Sequence, residues 1–189
     1  RAGGASAANI AHWDGSTWAA LGTGTDGEVR ALAVDASGAL VAGGLFAHAG
    51  AVSASNVARW SASAWNALGT GTNGAVNALA AASSGILYAG GAFTVADGGT
   101  ARRIARWDGT QWRPLSNGLS DEDLALRASG STLYVGGRFL AAGGNPRSDY
   151  LTQWSGSAWA PVASGSGSTG ITAAVHALAG GASGDLFAA

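Results

Sequence analysis

Cysteine, methionine and lysine are missing from this sequence, and only three prolines occur in its 189 residues. Without cysteine there can be no disulfide framework, no thiolate metal centre and no thiol nucleophile. With no lysine, all ten basic residues are arginine. The missing methionine predicts a processed N-terminus or a segment of a longer chain, and residues 1–10 show no secretory leader. Charge is scarce as well: 11% of residues, with a net charge of −1. That balance gives no electrostatic footprint for nucleic acid. No apolar run approaches the roughly 20 residues of a membrane-spanning helix. Nor is a helical 3.6-residue period sustained anywhere, so near-zero helix content is expected.

What remains is unusual. Hydrophobic residues make up 47%, with 32 glycines and eight tryptophans. The chain is too apolar for disorder, and its glycines lack collagen spacing. It is long enough for one domain with a core. The tryptophans fall into two series, Trp13, Trp60, Trp107, Trp154 and Trp18, Trp65, Trp112, Trp159, each advancing by 47 residues. A second marker follows the same period: "LVAGGLF" at 40–46, "LYAGGAF" at 87–93, "LYVGGRF" at 133–139 and "LFAA" at 186–189. Fixed-period similarity of this kind is the signature of repeat architectures.

Each unit reads as four short strands. In one unit these are a (28–35), b (39–46), c (56–60) and d (64–70), joined by turns rich in Asp-Gly and Ser-Gly. Such turns supply positive φ at low steric cost. A four-stranded sheet of about 45 residues cannot bury both faces alone; stacked radially, such sheets make an all-β propeller of four-stranded antiparallel blades. Residues 1–189 are read as a single propeller or propeller segment. The paired tryptophans are expected as structural wedges between blades, and the "ALA" segments at 31–33, 78–80 and 177–179 as the narrow centre.

The markers resemble the kelch-type propeller repeat. "YAGG" (88–91) followed by "RWDGTQW" (106–112) has that family's order: a Gly-Gly pair, then an aromatic-Asp pair, then a Trp. The likeness extends to "WDGxxW…YAGGxF" arrays of predicted bacterial surface and secreted proteins. It implies a propeller fold and an extracellular or cell-surface location, but not an activity, because propellers host many. Ser61 and Ser155 replace the turn aspartates Asp14 and Asp108. The third unit is one residue shorter, and the fourth is longer before Val175. The unit boundary falls between b and c. That leaves three arrangements open: a four-blade ring closed by pairing the last b with the first c, two chains in one ring, or a longer array.

Function is expected where equivalent positions differ, on loops carried by the frame. The b–c loops (47–55, 94–103, 140–150) carry His48, Asp97, Arg102, Arg103, Asn145, Arg147 and Asp149. The d–a loops add Asp26, Asn73, Asp121, Glu122 and Asp123. Near the start of strand a, one position reads Arg30, Asn77, Leu124 and His176, and is expected at the channel mouth. His48 and His176 are read as solvated, the acidic run 121–123 as a turn, and Arg102-Arg103 as a strand-edge charge pair. The glycine-rich "GTGTDG" precedes no helix, so it is not a phosphate loop. No catalytic residues, metal site or cofactor are expected. The expected role is a non-catalytic binding or assembly scaffold whose partner is a protein or glycan. The alternatives are a carbohydrate-binding lectin and an enzyme with a channel-mouth site.

Overall fold

The computed structural model describes residues 1–4, 6–122, 124–144, 150–162, 171–181 and 184–189. All regular structure among them is strand. The chain enters through a hairpin of β1 (Ala11–Trp13) and β2 (Trp18–Ala20). A complete unit follows: β3 (Glu28–Val34), β4 (Leu40–Leu45), β5 (His48–Ala49), β6 (Val52–Ser53), β7 (Val57–Ser61) and β8 (Ala64–Ala67). The next is β9 (Val76–Ala81), β10 (Leu87–Gly91), β11 (Val95–Ala96), β12 (Gly99–Thr100), β13 (Ile104–Trp107) and β14 (Trp112–Pro114). Then come β15 (Leu124–Ser129), β16 (Thr132–Gly137), β17 (Leu151–Trp154) and β18 (Trp159–Pro161), and finally the hairpin β19 (Leu178–Gly180) and β20 (Leu186–Ala188).

Three antiparallel sheets result, ordered β3-β4-β7-β8, β9-β10-β13-β14 and β15-β16-β17-β18. Their first strands lie against one another in succession, β3 on β9, β9 on β15 and β15 on β19. Among the described residues β1 pairs only with β2 and β20 only with β19, so the last b strand does not pair with the first c strand. The b–c loops at 47–55 and 94–103 hold small hairpins of their own, β5–β6 and β11–β12, which the sequence pattern did not announce.

The Gly-Gly pair is explained by what a side chain would meet there. A Cβ on Gly43 would stand 2.5 Å from Val76 Cγ1, and one on Gly90 would stand 2.8 Å from Leu124 Cδ1. The first glycine is thus the surface on which the next blade's inner strand rests. A Cβ on the second, Gly44, would run into the Glu28 carbonyl oxygen of its own sheet. Both close approaches depend on the missing side chain.

The second tryptophan of three of the four pairs reaches back to the preceding unit. Trp65, Trp112 and Trp159 donate their indole N–H to the carbonyls of Leu21, Leu68 and Leu115, at 2.9, 2.9 and 3.1 Å, each 44 residues earlier. Within each pair the rings lie 5.2–5.6 Å apart, tilted or edge-on, a favourable aromatic arrangement. Trp65 and Trp112 are buried, whereas Trp13 and Trp18 in the first hairpin are 47% and 45% exposed. Turn chemistry varies beneath this regularity. Asp14 Oδ1 accepts the amides of Ser16 and Thr17, and Asp108 Oδ1 those of Thr110 and Gln111. Where Ser61 replaces the aspartate, Ala62 and Ser63 adopt φ of 51° and 60°.

Candidate functional site

The d–a and b–c loops meet on one face, and their polar side chains are largely engaged in fastening that face together. Thr25 bridges to Ala49, Thr72 to Ala96 and Leu119 to Ala142, which ties each d–a loop to a b–c loop. Asp26 strengthens the first tie. Its Oδ1 accepts the amides of Ala47 and His48, and its Oδ2 lies 2.8 Å from His48 Nδ1. The His48 amide, followed by its ring, holds the Asp26 carboxyl below its ordinary range. In the next unit Asn73 accepts from Thr94 and Val95, and Ser120 accepts from Leu140 in the third. His48 therefore belongs to a repeated loop clasp.

Asp97 has a similar role. Its φ is 47°, at a position where Gly50 and Gly143 sit at 61°. Its carboxylate accepts the Thr70 amide at 2.6 Å, the Thr70 hydroxyl at 3.2 Å and the Trp112 amide at 2.7 Å. Those bonds offset the roughly 1–2 kcal/mol that a left-handed backbone costs a residue with a Cβ.

A second repeated left-handed position precedes each c strand: Asn9, Asn56, Arg103 and Tyr150, with φ of 59–67°. Asn suits this conformation best. Asn9 and Asn56 use their amides to donate to the carbonyls of Thr25 and Thr72, each at 2.7 Å. Arg103 instead reaches Glu122, with Nη1 2.7 Å from Oε2. The two asparagines, 47 residues apart, were a signal available in the sequence but not singled out.

Arg30 and Asn77 occupy β-bulges. Register shifts at Val29/Ala31 in β3, and in the β9–β10 pair Asn77 is passed over between Val76 and Ala78. The amides of His176 and Ala177 both donate to the Ala189 carbonyl, which makes His176 the extra residue of its hairpin. Bulges re-aim side chains at sheet margins. Here Arg30 Nε bonds Glu28 Oε2 at 2.9 Å and Arg30 Nη1 bonds Asn77 Oδ1 at 3.0 Å. Asn77 reaches the Glu122 carbonyl at 3.5 Å. Glu28, Arg30, Asn77, Glu122 and Arg103 thus form one hydrogen-bonded line across three units.

Leu124, expected in the same series, lies elsewhere. It pairs with Gly137 inside an unbulged β15 and is buried under Gly90. The one-residue deletion in that unit removed the bulge and moved leucine into the inter-blade core. Arg102 is exposed, and its carbonyl accepts the Leu119 amide. Arg102 and Arg103 thus part company despite being adjacent, since only Arg103 joins the polar line. Asp121 caps the Glu122 amide at 2.7 Å. Asp123, Asn145, Arg147 and Asp149 lie outside the described residues. Among the described residues no three His, Cys, Asp or Glu side chains form a metal-holding group.

Successive four-stranded antiparallel sheets, stacked through their first strands, define a β-propeller. A family model described as the Rax2 C-terminal beta propeller domain matches residues 15–179, most of the chain. The chain belongs to that family. No curated protein matches it.

Proposed function

We propose that this propeller is a non-catalytic binding and assembly scaffold that presents its loop face to a protein or glycan partner. The observation carrying this reading is the way variation is arranged there. Equivalent positions hold the loops by different chemistry in each unit, Asp26–His48, Asn73–Thr94 and Ser120–Leu140, on a frame that stays constant. The exposed Arg102 and the line from Arg30 to Arg103 give that face a fixed pattern of donors and acceptors. A stiff frame with varied loops suits recognition, because little ordering entropy is lost on binding. The kelch-like markers and their likeness to bacterial surface and secreted arrays support an extracellular or cell-surface setting. Repetition favours a repetitive partner, since linked weak sites gain avidity.

The test is retention on envelope fractions of the source cells, comparing the chain with Arg30→Ala, Arg102→Ala and a turn-face control, Thr110→Ala. The reading expects saturable retention that the two loop-face changes weaken and the control leaves intact. Equal retention of all four proteins, or none by the unaltered chain, would sink it. The lectin alternative is favoured by one feature on the opposite face, a cavity walled by Trp107 and Arg59.

A further inference from the structure

The a–b and c–d turns form the face opposite the loops, and there a cavity of about 360 Å³ opens between the first and second four-stranded sheets. One wall is the half-buried indole of Trp107, and the floor is Val41, Leu68 and Leu87. The other wall is polar. Arg59 Nε lies 2.7 Å from Asp35 Oδ2, and Arg59 Nη2 donates to Ser37 Oγ at 2.6 Å. Asp35 is further held by the Ser37 hydroxyl and amide and by the Ala39 amide. Burial alone would raise its carboxyl, but these bonds and Arg59 keep it below the ordinary value. The guanidinium is therefore fixed in place with its charge compensated.

A larger groove of about 780 Å³ lies 47 residues earlier in the repeat, lined by His12, Leu21, Gly38, Leu40, Trp60 and Ala62. Those six stand where Arg59, Leu68, Gly85, Leu87, Trp107 and Gly109 line the first cavity. Two inter-blade grooves thus share one design. The next groove is filled: Tyr88 takes the place of Val41 and packs into the same buried cluster as Trp154, which is only 5% exposed.

We propose that the Asp35–Arg59–Trp107 cavity is a saccharide subsite that takes one neutral pyranose ring of a repeating glycan. The C–H face of a pyranose stacks on an indole, and its hydroxyls accept from a fixed guanidinium. The compensated charge removes the pull that a bare arginine would exert on a carboxylate or phosphate. The volume falls in the range of small-ligand pockets. A neighbouring groove of the same design suits a second ring of the same chain. This deepens the binding-module reading on a separate face, so its failure leaves the loop-face test untouched.

The test is indole N–H NMR of the full chain, resonances assigned by single Trp→Phe changes, titrated with methyl glucoside, methyl galactoside and methyl mannoside. The Trp107 signal is expected to move with at least one glycoside. Val41→Tyr, which copies the filled groove, should weaken binding by about tenfold or more while the Trp65 signal, from a separate buried cluster, stays in place. Should Val41→Tyr fail to fold, Arg59→Gln, which copies Gln153, should weaken binding with the frame intact. No movement of Trp107 with any glycoside would overturn the proposal. So would movement confined to Trp13, Trp18 or Trp60, or undiminished binding by the variants.

Discussion

Replacing Trp112 by phenylalanine tests the mechanism that couples one blade to the next. Trp112 is 4% exposed, and its indole N–H donates to the Leu68 carbonyl of the previous sheet at 2.9 Å. Phenylalanine keeps a ring but removes that donor, leaving a buried carbonyl without its partner at a cost of about 1–3 kcal/mol. The smaller ring also leaves a void and forfeits contacts, worth about another 1–2 kcal/mol. The expected loss is therefore about 2–5 kcal/mol. At about 2–4 °C per kcal/mol for a chain of this size, the midpoint should fall by about 4–20 °C. Trp18 is the matched control: it holds the same repeat position but is 45% exposed. Trp18→Phe should cost about 0.5 kcal/mol or less, as surface changes do. Circular dichroism melts of the two variants and the unaltered chain read the difference. Equal losses, or a Trp112→Phe loss under about 1 kcal/mol, would show that the inter-blade hydrogen bond does not couple the sheets.

Other predictions concern packing, strain and acid. Gly43→Ala should destabilise by about 1–3 kcal/mol, because its Cβ would press on the β-branched Val76. Gly90→Ala should cost less, since it meets the movable end of Leu124. A Gly43→Ala, Val76→Ala double variant in urea melts should recover part of the first loss, and strict additivity would argue against direct contact. Asp97→Gly removes left-handed strain but also three accepted hydrogen bonds. Hydrogen exchange should therefore show faster exchange at the Thr70 and Trp112 amides, and unchanged protection would refute the staple. The Asp26 carboxyl is depressed in the folded chain, so its contribution is fully present above the ordinary value of 3.8 and is lost as pH falls below it. In an NMR acid titration the Ala47 and His48 amides should lose protection in that window. Asp26→Asn, matching Asn73, should keep those amides protected at low pH, and loss at the same pH in both proteins would exclude Asp26 as the cause.

Much of this architecture could be read directly from residue spacing. The 47-residue period located the sheets because tryptophan wedges and Gly-Gly contacts are set by local side-chain size, which the sequence states outright. Strand ends shifted by a few residues: strand d was expected over 64–70 and ends at Ala67. The loop hairpins β5–β6 and β11–β12 went unseen, since pairs of two residues carry no periodic pattern. The polar loop residues were found as candidates, but their partners were not. Asp26 with His48 and Asp97 with Trp112 are separated by 22 and 15 residues, and only the folded loops bring them together.

The sequence by itself therefore determined the repeat, the all-strand character and the spacing of the inter-blade contacts, because each rests on a residue's own size and backbone preference. Only the tertiary structure decided which side chains share a neighbourhood. It moved Leu124 into the core through a one-residue deletion and spent Asp97 and His48 on loop clasps. It also opened a cavity at Val41 where Tyr88 closes the next one. Those outcomes depend on contacts between sheets, and a contact between sheets is a property of two surfaces that no single stretch of chain contains.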